Sequence, residues 1–205
     1  MSNSISSLIE SRSSTGRYDA NQLIADAQVE ELVRLATRAP SAFNAQNWKF
    51  IAVRSTDAKA RLKAVSFGQQ QVEDASVTFI VCGTLDVHKT LPAALQPSVD
   101  AGILNQSTFD TWISMTRATH QDNPQLQRDE AFRSASLATM TLMLAAQGMG
   151  FASGAMSGFD ADGVVQEFGL NRNEVPVMLV TVGYPADGNW PQKPRKPVED
   201  VLEIA

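Results

Sequence analysis

From Arg128 to Gln147 the chain shows no clean polar stripe. Ala135, Ala138, Met140, Leu142, Met143, Leu144, Ala145 and Ala146 fall on several faces of a helix that Asn123 and Pro124 are suited to start. A helix apolar on several faces is buried on most of its sides, so this one is expected to be central, with the other elements laid around it. The length of 205 residues allows one sizeable core and is short for two, so one domain over 1–205 is expected. The longest uninterrupted apolar run, Leu142 to Ala146, is far too short to span a bilayer.

Several function classes fall away on composition. A net charge of −5 disfavours a general nucleic-acid binder, which needs a cationic face. The lone cysteine, Cys82, lies in the apolar run Phe79 to Cys82 and reads as an inert core thiol. His88 and His120 have no second ligand at metal spacing, so no metal site is expected. With so few histidines and cysteines, hydrolytic and thiol chemistry is short of parts. The serine-rich start from Met1 to Gly16 lacks the apolar segment of a secretory signal, which makes the cytoplasm the expected location.

In chain order, Ile5–Glu10 reads as a short helix. Asp26 is expected to cap a helix ending at Arg38, with Val29, Leu32, Val33 and Ala36 on one face. Trp48–Val53 reads as a strand, and Ser55 or Thr56 as the cap of a helix through Ala64. Val77–Cys82 and Val177–Val182 read as further strands. Pro92 and Pro97 are expected to break the chain, with a helix following over Val99–Thr119, and Asp160 to cap a helix through Phe168. The glycine-rich segment from Gly148 to Gly158 follows a helix, whereas a dinucleotide-binding fingerprint must follow a strand, so it reads as a small-residue loop open to close backbone approach.

Five stretches could meet a ligand. Pro40, Ser41, Ala42, Phe43, Asn44, Gln46, Asn47 and Trp48 form either a well-made turn or a surface for a planar, polar-edged molecule. Arg12 to Arg17, with Ser13, Ser14 and Thr15 between, is either a solvated arm or a phosphate clamp. The proline-broken tail from Trp190 to Pro197 carries Lys193, Arg195 and Lys196; it is either solvated or the other half of that clamp. Gln69, Gln70 and Gln71 are more polar than a packing loop requires, and one of them is a candidate ligand contact. Phe109 and Trp112, in the aromatic segment running to Met115, read either as core or as a substrate-facing wall.

Taken together, these residues resemble the nitroreductase family of FMN-dependent oxidoreductases along nearly the whole chain. Arg12-Ser13-Ser14 resembles its N-terminal Arg-x-Ser, and Ala39 to Trp48 its flavin loop A-P-S-x-x-N-x-Q-P-W. Ala155, Met156, Ser157 and Gly158 fall where the family places a loop against the flavin ring, and Lys193-Pro194-Arg195 resembles its terminal K-x-R. Asn47 stands in place of the usual proline, and Gly16 where a basic residue is common, leaving open whether Arg17 makes that contact. The resemblance implies an α+β three-layer sandwich, a mixed sheet flanked by helices, in an intertwined homodimer with flavin at the interface. It implies FMN held by Arg12, Ser13, Ser14, Arg17, Pro40, Ser41, Ala42, Asn44, Gln69, Gln71, Ala155, Met156, Ser157, Gly158, Lys193 and Arg195, with Phe43, Phe109 and Trp112 towards substrate. NADH or NADPH would be the donor and a nitroaromatic, quinone or similar electrophile the acceptor, in a ping-pong cycle carried by the flavin rather than by a side chain. Alternatives are an enone, an aldehyde or a halogenated aromatic as acceptor, or a protein that only binds flavin.

Overall fold

The computed structural model describes residues 5–205; the first four residues of the serine-rich start lie outside it. The long apolar pattern folds as α7, Pro124–Gly148, with Asn123 accepting the Leu126 amide at its start. Ala131, Ala135, Ala138, Leu142 and Ala146 are fully buried in it. These small residues let the helix backbone settle directly on a strand. A Cβ added at Gly83 would stand 2.5 Å from the Ala131 carbonyl oxygen, closer than any side chain can come. One stripe of α7 nevertheless faces out, with Leu137 46% and Met140 40% exposed.

That strand is β2, Val77–Thr84, central in a four-stranded sheet of order β1-β2-β4-β3, where β1 is Trp48–Val53, β3 Ala152–Met156 and β4 Glu174–Gly183. Its alternation sorts two cores. Val77, Phe79 and Val81 pack with α7 and α2 (Asp26–Ala36); Ile80 and Cys82 pack on the other face with α3 (Thr56–Ala64) and α8 (Ala161–Phe168). The three layers are therefore helix, sheet, helix. Cys82 is wholly buried, and burial pushes its thiol up to about 12, which makes it inert as the sequence implied. All strand pairs are antiparallel, so the expected mixed character is confined, among the described residues, to one parallel bridge between Ser14 and Ser153. No described helix is long and apolar enough to cross a membrane.

A third, satellite core lies between α5 (Val87–Asp100) and α6 (Gln106–His120). Pro92 and Pro97 do not break the chain as expected; both sit inside α5. Each withholds one helix hydrogen bond, but Val87, Leu91 and Leu95 recur every fourth residue and bury against α6, which holds the helix together. The helix expected from Val99 starts only at Gln106, because Asn105 accepts the Thr108 amide and so fixes the start there. Asp26 is not a cap either. It is the first residue of α2, paired with Arg54, while the Gln28 side chain accepts the Ala25 amide. α2 stops at Ala36, short of Arg38. The cap at Ser55, the strand Trp48–Val53 and the cap at Asp160 are as read.

Candidate functional site

The segment after α1 (Ile5–Ser11) runs along the sheet edge at β3. Thr15 donates its amide to Ser153, 3.0 Å away, and a Cβ at Gly154 would lie 2.3 Å from the Thr15 carbonyl oxygen. The small-residue segment is therefore partly a strand, not the expected loop. Ala-Ser-Gly-Ala-Met has little strand propensity, and its pairing is set by β4 on one side and the N-terminal arm on the other. Tyr18 locks the arm from beneath: its hydroxyl lies 2.9 Å from Thr181 Oγ1, 3.1 Å from Thr181 O and 3.2 Å from Thr15 O. Burial pushes that hydroxyl well above the ordinary phenol range, so Tyr18 is an anchor rather than an acid.

Asn189 then ties the arm to the tail. Its Oδ1 accepts the amides of Gly16 (2.9 Å) and Arg17 (3.0 Å), and its Nδ2 donates to the Arg17 carbonyl (2.8 Å). Gln192 donates to the Arg12 carbonyl at 3.0 Å. The result is a cavity of about 290 Å³ lined by Ser13, Ser14, Arg17, Trp190, Lys193 and Arg195, among others. The two basic stretches that lie far apart in sequence are thus brought together. None of Arg12, Arg17, Lys193 and Arg195 forms an ion pair among the described residues. Arg12 Nη1 is buried without a partner. Three cations, Arg17, Lys193 and Arg195, line the cavity with no carboxylate, and Arg12, on the same arm but outside the lining, keeps an orphaned donor; such a corner suits an anion. Gly16 also lines it; a side chain there would press on Gln71, whose Oε1 lies 3.1 Å from where the Cβ would be. Asn189 was not anticipated; the Gly188-Asn189 turn dipeptide was its only signal.

The stretch Pro40–Trp48 is rigid for a different reason. Ser41 Oγ accepts the Gln46 amide, and Phe43, Asn44 and Gln46 all take left-handed backbone angles, with φ of 55, 53 and 49°. Such angles cost a non-glycine residue about 1–3 kcal/mol and persist only where the surroundings over-determine them. Asn47, in the place of the family's proline, is 2% exposed; its Nδ2 donates to Thr84 O, and the Thr84 amide donates back to Asn47 O. Pro40, Ala42 and Asn44 are exposed. Phe43 meets Trp112 edge to face at 5.7 Å. Phe109, the third residue expected at substrate, is instead buried in the α5–α6 core.

Gln69 follows two left-handed residues, Phe67 and Gly68, and donates to Gly158 O (2.6 Å) and Ser66 O (3.0 Å), joining the glutamine run to the Ser157-Gly158 segment. Ala155, Ser157 and Gly158 are exposed, while the Met156 side chain is buried in the core beneath α3 and α8. None of the described hydrogen bonds or ring contacts links the Ser41–Asn44 loop to the cationic corner, and that loop does not line the corner's cavity.

An α+β sandwich with a cationic corner at a sheet edge is the class that fold and site define. Residues 9–184 match the nitroreductase family, and the chain belongs to it. It is 32% identical over 176 residues to YodC of Bacillus subtilis, provisionally named an NAD(P)H nitroreductase, covering 86% of this chain and 87% of that one. It is 26% identical over 187 residues to the CLA biosynthesis enone reductase of Lactiplantibacillus plantarum, covering 89% and 86%. A crystal structure from Exiguobacterium sibiricum, provisionally named a nitroreductase and solved in complex with FMN, superposes with a TM-score of 0.90 at 27% identity, covering 98% and 97%.

Proposed function

We propose that this chain, a single domain, is an FMN-dependent oxidoreductase that takes reducing equivalents from NADH or NADPH and passes them to a nitroaromatic, quinone or similar electrophile in a ping-pong cycle. The observation that carries the reading is the cationic corner of Arg17, Lys193 and Arg195, beside an arm whose Arg12 Nη1 is buried and unpartnered. The donor set fits one terminal phosphate: guanidinium forks, an ammonium and two serine hydroxyls, with no carboxylate in the lining. That favours FMN over FAD. Bound there, FMN would supply the hydride chemistry, and the protein would supply binding and orientation.

Arg12, Ser13, Ser14, Lys193 and Arg195 are assigned to the phosphate, with Arg17 as the basic neighbour of Gly16. Gln71 and the exposed backbone of Ser157 and Gly158 are assigned to the ring side, with Gln69 fixing Gly158. Pro40, Ser41, Ala42 and Asn44 stand outside this chain's corner, so they serve the flavin of a second copy. The assembly is then a homodimer with flavin at its interface. Exposed Val198, Val201, Leu202 and Ile204 on the tail support the same reading, since so much apolar side chain calls for a covering surface. A cytoplasmic location belongs to the same proposal. The enone reductase among the relatives favours an enone as the second acceptor class to test.

The test begins with the visible spectrum of FMN-reconstituted protein. A protein that takes up no flavin ends the proposal, and one whose flavin NAD(P)H does not bleach only binds it. Donor and acceptor share one flavin face beside Phe43 and Trp112, so double-reciprocal plots are expected to be parallel. Trp112→Ala is expected to shift acceptor preference more than FMN affinity. Intersecting lines, or flavin loss with an unchanged acceptor profile, would move the pocket elsewhere.

A further inference from the structure

Trp190 lines the cationic corner rather than any core, and its side of the cavity leaves it 69% exposed. Its place in the chain is nevertheless well set. Asn189 before it is hydrogen-bonded to Gly16 and Arg17, and Pro191 after it disfavours helical backbone angles for Trp190 itself. Three residues on stands Lys193, in a stretch with neither helix nor strand. Its Nζ forms no ion pair among the described residues and lies over the Trp190 indole, 4.8 Å from the ring centroid.

That ammonium is under pressure to leave. Arg17 and Arg195 share the cavity, and like charges repel it outwards. A flexible four-carbon stem lets it swing into solvent. A carboxylate could hold it back, but would also cancel its charge and repel an incoming phosphate. An indole attracts a cation through the negative face of its ring while carrying no net charge, so the positive field of the corner survives.

We propose that Trp190 is a positioning residue: its ring holds the Lys193 ammonium in the corner for the terminal phosphate, and so favours a phosphorylated flavin over riboflavin. This role rests on the phosphate assignment of the corner, and Trp190 acts through Lys193 rather than by touching flavin.

FMN and riboflavin, titrated separately into the full chain and followed by flavin fluorescence, separate the outcomes. Trp190→Ala is expected to weaken FMN about two- to fivefold, the size of an exposed cation–π contact, and to leave riboflavin unchanged. Trp190→Phe keeps an aromatic face and is expected to restore most of the loss. In a Lys193→Met background no ammonium is left to hold, so Trp190→Ala is expected to weaken FMN no further. A parent that takes up no FMN overturns the phosphate assignment and this role with it. If the parent binds FMN, the role of Trp190 alone is overturned by any of three results: Trp190→Ala binds FMN equally well, it loses FMN and riboflavin alike, or it loses as much again in the Lys193→Met background.

Discussion

The cationic corner and the Ser41–Asn44 loop are both candidate cofactor surfaces, yet they are built on opposite principles. The corner is made of charge on loosely held chain. Its tail is exposed from Pro191 to Ala205, and it is tied down mainly by Asn189 and Gln192. The loop carries no charge and is held stiff. Three left-handed residues are clamped between the Ser41–Gln46 bond and the reciprocal Asn47–Thr84 pair. Coulomb attraction falls off slowly with distance and tolerates loose placement, whereas neutral hydrogen bonds to a planar ring need set positions. A charged end therefore suits the flexible part of the chain and a ring the rigid part.

The largest effect is expected at Gly154, where the arm that carries the corner lies against β3. A methyl group there meets the Thr15 backbone at 2.3 Å and Thr181 Oγ1 at 3.1 Å. Gly154→Ala is expected to cost about 3 kcal/mol, or roughly 6–12 °C in Tm, and to weaken FMN binding as the arm lifts off β3. Calorimetry showing an unchanged Tm would mean that the arm yields freely at Gly154 and is held by Tyr18 and Asn189 instead.

Next comes Arg195→Ala. Its side chain is exposed and reaches only the Lys193 and Pro194 carbonyls, so the cofactor-free protein is expected to melt as before. FMN affinity should fall about ten- to a hundred-fold, by the roughly 1.5–3 kcal/mol of a charge-assisted bond. An unchanged dissociation constant would make the tail solvent-borne and the corner incomplete.

The contrast also marks what the sequence could reveal. Charge in Arg12, Lys193 and Arg195 was visible because its meaning hardly depends on geometry, and four ordered motifs identified the family. The buried α7 was legible because its small and apolar residues leave no polar face. β3 was not legible, since Ala152–Met156 has no strand signature and is made a strand by its neighbours. Pro92 and Pro97 misled because the apolar spacing of α5 outweighs two lost hydrogen bonds. The left-handed Phe43 was hidden because no bulky residue favours that angle, and Phe109 read as a wall because one aromatic looks like another until its packing is known.

The loop's stiffness is sharpened by Gln46→Gly. Gln46 holds φ at 49°, and its side chain makes only a long 3.5 Å contact with Asn44 O, so glycine gives up little and removes the strain. A net gain of about 1 kcal/mol, or roughly 2–4 °C in Tm, is expected in the cofactor-free protein. The acceptor KM should rise as the loop loosens. A lower Tm would show that the left-handed turn is not strained.

The smallest effect lies just past the loop, where Lys49 Nζ meets the Glu174 carboxylate at 2.8 and 2.9 Å and pins the exit onto β4. Burial pushes the Glu174 carboxyl up, but bonds from Lys49 and from the Asn171 side chain and amide outweigh it, so the group sits below its usual value of 4.5. A carboxylate whose folded value is depressed adds stability above its unfolded value and loses it as pH falls through the folded one. The contribution is therefore whole above about pH 4.5 and fades below it. Lys49 is 42% exposed, so solvent screens the pair to about 0.2–1 kcal/mol, or roughly 1–3 °C. Melting Glu174→Gln beside the parent protein from pH 7 to pH 3 isolates this pair from the other carboxylates. The parent should lead at neutral pH and the two curves should meet in acid; curves that run parallel throughout would show that the loop's exit is held by Asn47 and Thr84 alone.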